Sequence, residues 1–126
     1  LYMERLIDNR FLILPTIGDD DHMSWFVFVV RLNDLFGPTE RDEIIKGLRA
    51  AGIGTNNYFP PIHLQPYVAQ QFGFKEGDFP ITEHVSARTL ALPFFSRMTE
   101  LQVDEVVNTL NTVIEKTLVV RKDRKF

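Results

Sequence analysis

The sequence predicts an α+β fold, in which helices and a few short strands pack as layers around one core. Three observations carry this. Val103, Val106, Val107, Leu110, Val113 and Ile114 recur with helical period over more than three turns. Trp25 to Val30 is an unbroken apolar run of strand length. Prolines and glycines cut the intervening chain into segments too short for long helices.

Taken in order, residues Leu1 to about Asn9 read as a helix with Tyr2, Met3, Leu6 and Ile7 on one face. That helix is already under way at the first residue, so the expectation is a piece of a longer protein. Phe11–Pro15 is a short apolar strand ended by proline. Thr16–Met23 is an acidic loop. Its run Asp19-Asp20-Asp21 lacks the glycine and distal glutamate of a calcium loop and reads as a solvated turn. Ser24–Leu32 is apolar on both faces, which predicts a central strand covered on both sides.

Thr39 is expected to cap a helix running to Ala51, bonding the amide near Asp42, with Asp42 and Glu43 in the first turn. Ile44, Ile45, Leu48 and Ala51 form its buried stripe, and Gly52 supplies a left-handed stop. Ile53–Phe59 is expected to return as a strand, because Pro60 pushes Phe59 out of the helical region. Gln65–Phe72 is a short helix closed by Gly73, and Asp78–Pro80 a loop. Thr82 to about Arg88 makes a helical turn or two, and Thr89–Leu92 is a strand cut off by Pro93. Thr99-Glu-Leu-Gln102 has capping-box spacing at the start of the last helix, which runs to about Thr117.

At 126 residues with 44% hydrophobic content the chain has the size and composition of one globular domain. The net charge of −3 argues against nucleic acid as a partner. Residues 121–126 are set apart as a basic tail, Arg121-Lys-Asp-Arg-Lys-Phe126, and read as a solvated terminus. The domain proper is residues 1–120. With no cysteine there are no disulfides, thiolate nucleophiles or cysteine-bound zinc, which fits the cytoplasm. No apolar run approaches the roughly 20 residues of a membrane span.

The chemistry concentrates in Gly52-Ile-Gly-Thr-Asn-Asn-Tyr-Phe-Pro-Pro-Ile-His-Leu64. Two consecutive prolines stiffen the backbone there and remove two amide donors, so Tyr58, Phe59 and His63 sit on a rigid, non-helical support. Such a segment suits one wall of a pocket. For His63 two readings stay open, a structural hydrogen bond or a functional contact. His22 and His84 read as surface residues, and no histidine pair has metal-ligand spacing. Glycine-rich phosphate motifs and the nucleophile-elbow pattern do not occur. Of the five lysines, Lys46 and Lys116 fall on polar helix faces, Lys75 in a loop, and Lys122 and Lys125 in the tail. A lysine that forms a Schiff base needs burial or a neighbouring cation, and none of these is so placed. The residues alone present no complete catalytic set.

The ordered motifs do resemble a known family. A helix ending near Leu6 is followed by the Pro15 segment, the aromatic strand Trp25–Val30 and the helix Thr39–Ala51. That helix leads into Gly52-Ile-Gly-Thr55, then Tyr58-Phe59-x-Pro61-x-His63. Pro80, Glu83, Thr89-Leu-Ala-Leu-Pro93 and Met98-Thr99 complete the set. In this order they resemble the C-terminal part of the DegT/StrS-type nucleotide-sugar aminotransferases, over nearly the whole chain. The resemblance implies the small C-terminal domain of an aspartate-aminotransferase-like, fold type I enzyme, with a short antiparallel sheet packed with helices. It implies pyridoxal phosphate as cofactor, held with its lysine by a large N-terminal domain outside these residues. It implies amino transfer from glutamate to a nucleotide-linked keto sugar, in polysaccharide or antibiotic sugar biosynthesis, by a cytoplasmic homodimer.

None of the five lysines matches the family's catalytic lysine, so residues 1–126 alone are expected to be inactive. Tyr58, Phe59, His63 and Asn57 are the substrate-side residues on this reading, with Asn56 and Asn57 weaker than the other three. No catalytic, cofactor-binding or metal-binding residue is assigned within the chain. Two alternatives stand beside it. One is a free-standing α+β module binding a small ligand or a protein through the Tyr58–His63 edge. The other is a regulatory, non-catalytic relative.

Overall fold

The computed structural model describes residues 1–123 and is built on a three-stranded antiparallel sheet in the order β1-β2-β3. β1 is Leu12–Ile13, β2 Phe28–Leu32 and β3 Thr89–Leu92. The helices are α1 (Tyr2–Leu6), α2 (Pro38–Ala50), α3 (Pro66–Phe72), α4 (Pro80–Ser86) and α5 (Glu100–Asp123). Residues directly opposite in an antiparallel pair share a face. The register sets Leu12 against Leu32, Phe28 against Leu92 and Val30 against Leu90. All of these are buried, and they join Ile44 and Leu48 of α2 and Val107, Leu110 and Ile114 of α5 in one core. Each fully buried leucine or isoleucine there stabilises the fold by about 1.5–3 kcal/mol. The α+β class and the antiparallel sheet are as expected from sequence, and β2 is the central strand.

Local signals explain the helix ends. At α5 the Thr99 amide donates to Gln102 Oε1 at 2.9 Å, and the Gln102 amide to Thr99 Oγ1 at 3.3 Å, which is the expected capping box. α2 ends in a Schellman arrangement. Gly52 has φ +80°, its amide donates to the Arg49 carbonyl, and the Ile53 amide donates to the Leu48 carbonyl at 2.9 Å. Ile53 and Leu48 are both buried, which supplies the usual apolar contact across that stop. α2 and α5 pack against each other closely at Gly47, where an added Cβ would lie 2.6 Å from Val113 Cγ1.

Several expectations need correction. α2 begins at Pro38, not Thr39. Gly37 is its cap, and the Glu40 carboxylate accepts the Gly37 amide at 2.9 Å, so Thr39 has no capping role and Glu40 is the acidic residue of the first turn. Ala51 is exposed; Arg41 takes the fourth buried position beside Ile44, Ile45 and Leu48. Ile7 is exposed because α1 stops at Leu6. β2 starts only at Phe28, with Phe26 outside the sheet and 77% exposed. Val29 and Arg31 on its second face are half-buried, so that face is covered only in part.

Ile53–Phe59 is not a strand. It makes one bridge to the free edge of β3, where the Ala91 amide donates to the Asn56 carbonyl at 2.9 Å. Beyond it, side chains take over from a backbone ladder. α4 starts at Pro80, earlier than expected, since proline suits the first helical position. α5 continues past Thr117, so Arg121–Asp123 of the expected tail are helical. Arg124, Lys125 and Phe126 lie outside the described residues.

Candidate functional site: an aromatic cavity beside the Pro60–Pro61 segment

The segment after Gly52 forms an arm across the edge of β3, and a series of hydrogen bonds fixes it. Thr55 Oγ1 donates to the Ala91 carbonyl at 2.6 Å. Arg49, at the end of α2, reaches over with Nε to the Thr55 carbonyl and Nη2 to Asn56 Oδ1, each at 3.0 Å. Buried Thr89 places its hydroxyl 3.2 Å from both Asn57 Oδ1 and the Tyr58 carbonyl. Ser86 Oγ donates to the Phe59 carbonyl at 2.7 Å, and the Ser86 carbonyl in turn accepts from Arg41 Nη1 at 3.0 Å. Backbone groups that a sheet ladder would have paired are thus satisfied by side chains of α2, α4 and β3. The Tyr58–Phe59 peptide bond is cis.

Pro60 and Pro61 then turn the chain into a short 3-10 turn, Ile62–Leu64, which carries His63 inward. Between this turn, the arm and α4 lies a cavity of about 610 Å³. Tyr58, Phe59 and His63 line it together with Phe74, Phe79, Ile81 and Val85, so its walls are mostly carbon. Among the described residues no lysine or arginine lines it. The rings form two groups. Tyr58 and Phe59 have centroids 4.7 Å apart, His63 lies 4.7 Å from Phe79, and Phe79 lies 5.3 Å from Phe74. Phe59 is 52% exposed and Tyr58 half-buried, which leaves their faces open to a ligand. Asn57, expected beside them on the substrate side, does not line the cavity: it is half-buried, and its Oδ1 accepts from the Thr89 hydroxyl that holds the arm.

His63 is 8% exposed, and its Nε2 lies 2.8 Å from Glu83 Oε1. The same carboxylate accepts the amides of Gly77, at 3.0 and 2.9 Å to its two oxygens, and of Phe79, at 3.2 Å. The Gly77 amide, followed by His63, holds the Glu83 carboxyl below the ordinary carboxylate value of 4.5. His63 thus makes the structural hydrogen bond and also lines the cavity. Glu83 was not among the site residues expected from sequence. An acidic residue in the first turn after Pro80 is a capping signal, but nothing local shows that the carboxylate reaches a histidine twenty positions earlier.

His22 and His84 are exposed, and His84 bonds Asp34 at 2.9 Å on the surface. Lys46, Lys75, Lys116 and Lys122 are exposed, and Lys125 lies outside the described residues. Among the described residues no cluster of three or more His, Asp or Glu could hold a metal ion, and no helix is long and apolar enough to cross a membrane. Another apolar cavity, about 410 Å³, lies beneath α1 beside Trp25 and Phe94. The Tyr2 hydroxyl on its wall is already bonded to the Pro93 carbonyl at 2.9 Å.

The chain matches known proteins over most of its length. Residues 1–111 match the DegT/DnrJ/EryC1/StrS aminotransferase family. The spore coat polysaccharide biosynthesis protein SpsC of Bacillus subtilis is 34% identical over 105 residues, covering 82% of this chain and 27% of the relative. The apo form of Spr1654 from Streptococcus pneumoniae, a protein also solved in PMP and PLP forms, has the same fold, with a TM-score of 0.87 at 23% identity over 96% of this chain and 30% of that one. DesV of S. venezuelae gives a TM-score of 0.76 at 29% identity, over 90% of this chain and 29% of that one. The chain thus spans under a third of the length of each of these relatives.

Proposed function

The chain belongs to the DegT/DnrJ/EryC1/StrS aminotransferase family, and from that premise we propose that residues 1–120 are the small C-terminal domain that closes the substrate cleft of a sugar aminotransferase. The reaction is transfer of an amino group from glutamate to a nucleotide-linked keto sugar. Residues 121–126 are a basic extension of that domain. The enzyme is a cytoplasmic homodimer, and pyridoxal phosphate supplies the electron sink. The described residues do not fit the cofactor's lysine: Lys46, Lys75, Lys116 and Lys122 are all exposed, and none lines the cavity. The cofactor is accordingly assigned to the large domain of the longer relatives, and residues 1–126 alone transfer no amino group.

The observation that carries the reading is the cavity wall formed by Tyr58, Phe59 and His63 on the Pro60–Pro61 support. Tyr58 and Phe59 present ring faces that suit packing against a sugar or base. His63 offers a ring nitrogen for a hydroxyl, and Asn57 holds the arm in register from behind. The test is Phe59→Ala in the natural polypeptide that contains this chain. Phe59 is half-exposed, so the fold survives its truncation. The expected outcome is a KM for the nucleotide sugar raised about tenfold, the worth of one lost aromatic contact. The visible absorbance of the lysine-bound cofactor stays unchanged. An unaltered KM would remove the arm from the substrate site, and a polypeptide that never shows that absorbance would refute transamination.

A further inference from the structure

We propose that Glu83 is a positioning residue for the cavity's ligand: it holds the His63 ring with Nε2 protonated, so that Nδ1 meets the ligand as a hydrogen-bond acceptor. The inference rests on reading the cavity as the substrate site and adds the part of the substrate that His63 recognises.

Glu83 receives two backbone amides, from Gly77 and Phe79, which can only donate. Its carboxylate is therefore acting as an acceptor throughout, and the His63 Nε2 lying 2.8 Å away must carry the proton of that contact. A neutral imidazole has one N–H, so Nδ1 is left with a lone pair. Phe79 and Phe74 pack against the ring at 4.7 and 6.5 Å between centroids and restrict its rotation. A fixed acceptor on a wall to which the described residues contribute no lysine or arginine suits a sugar hydroxyl or an amino N–H and repels a phosphate oxygen. Glu83 also ties the Gly77–Phe79 loop to the same point, so the loop and the ring are set by one carboxylate.

The test uses the natural full-length protein labelled with 15N in histidine, in which long-range 1H–15N correlations near neutral pH report each ring nitrogen as protonated or bare. The expected result for His63 is a protonated Nε2 and a bare Nδ1. In Glu83→Ala the two nitrogen shifts move toward each other as the ring exchanges between tautomers. Glu83→Gln, which keeps an acceptor oxygen, restores their separation. Far-UV circular dichroism shows that each variant is folded. UDP-N-acetylglucosamine as probe moves the Nδ1 signal, inorganic pyrophosphate does not, and Glu83→Ala weakens the sugar probe about fivefold, the worth of one neutral hydrogen bond. A proton on Nδ1 in the free protein, a ring indifferent to Glu83→Ala, or an equal response to pyrophosphate overturns the proposal. A sugar probe that moves neither His63 nor the rings of Tyr58 and Phe59 overturns the substrate-site reading itself, while the ring state of the free protein is read without any ligand.

Discussion

Gly47→Ala tests how closely α2 and α5 approach, which matters to the site because α2 delivers the arm through Gly52. In an open helix position the change stabilises by about 0.8–1 kcal/mol, since alanine loses less backbone entropy. At Gly47 the new Cβ would lie 2.6 Å from Val113 Cγ1 and 3.2 Å from Cγ2. Ordinary carbon contacts are about 3.5–4.0 Å. Valine in a helix has one strongly preferred rotamer, so the methyl cannot swing aside and the helices must separate. Overpacking of this kind costs about 1–3 kcal/mol.

The net expectation is a loss of about 1 kcal/mol, or a Tm lower by about 4 °C for a chain of this length. In a Val113→Ala background the clash is gone, and the same substitution should stabilise by about 0.8–1 kcal/mol. Urea unfolding of the four proteins, followed by far-UV circular dichroism, measures the coupling directly. If Gly47→Ala stabilises both backgrounds equally, the close crossing is refuted.

Two further outcomes follow from single residues. Gly52 has φ +80° and nothing within 4 Å of an added Cβ, so Gly52→Ala should cost only the left-handed backbone strain, about 1–2 kcal/mol. Gly52→Asn should cost less, because asparagine tolerates that region, and equal urea midpoints for the two variants would contradict the cause given. Burial raises the Tyr2 phenol from 10.0 to about 12. A raised value means that the fold favours the neutral phenol, so this stability is fully present below pH 10 and is lost as pH climbs through about 12. Tyr2→Phe should flatten that alkaline loss and cost about 1 kcal/mol at neutral pH by leaving the Pro93 carbonyl without its donor. The same alkaline limb in both proteins would show that Tyr2 does not cause it.

Features written within a few residues of one another were legible in the sequence. The Thr99–Gln102 box, the glycine stops at 52 and 73, strand Thr89–Leu92 and the apolar stripes of α2 and α5 each depend on local dihedrals or on one element's own period. The family resemblance was legible for the same reason, as an ordered string of such local signals. So was the stiffness around Pro60 and Pro61 that marks Tyr58, Phe59 and His63 as presented side chains. What only tertiary structure decided depends on partners far apart in the chain. Ile53–Phe59 reads as a strand but meets β3 at one residue, and Arg49, Thr89 and Ser86 bond its carbonyls at Thr55, Tyr58 and Phe59 instead. The cavity needs Phe74, Phe79 and α4 brought against the arm. Glu83 gains its partner only when that packing carries it to His63, because a hydrogen bond acts over ångströms of space whatever the separation along the sequence.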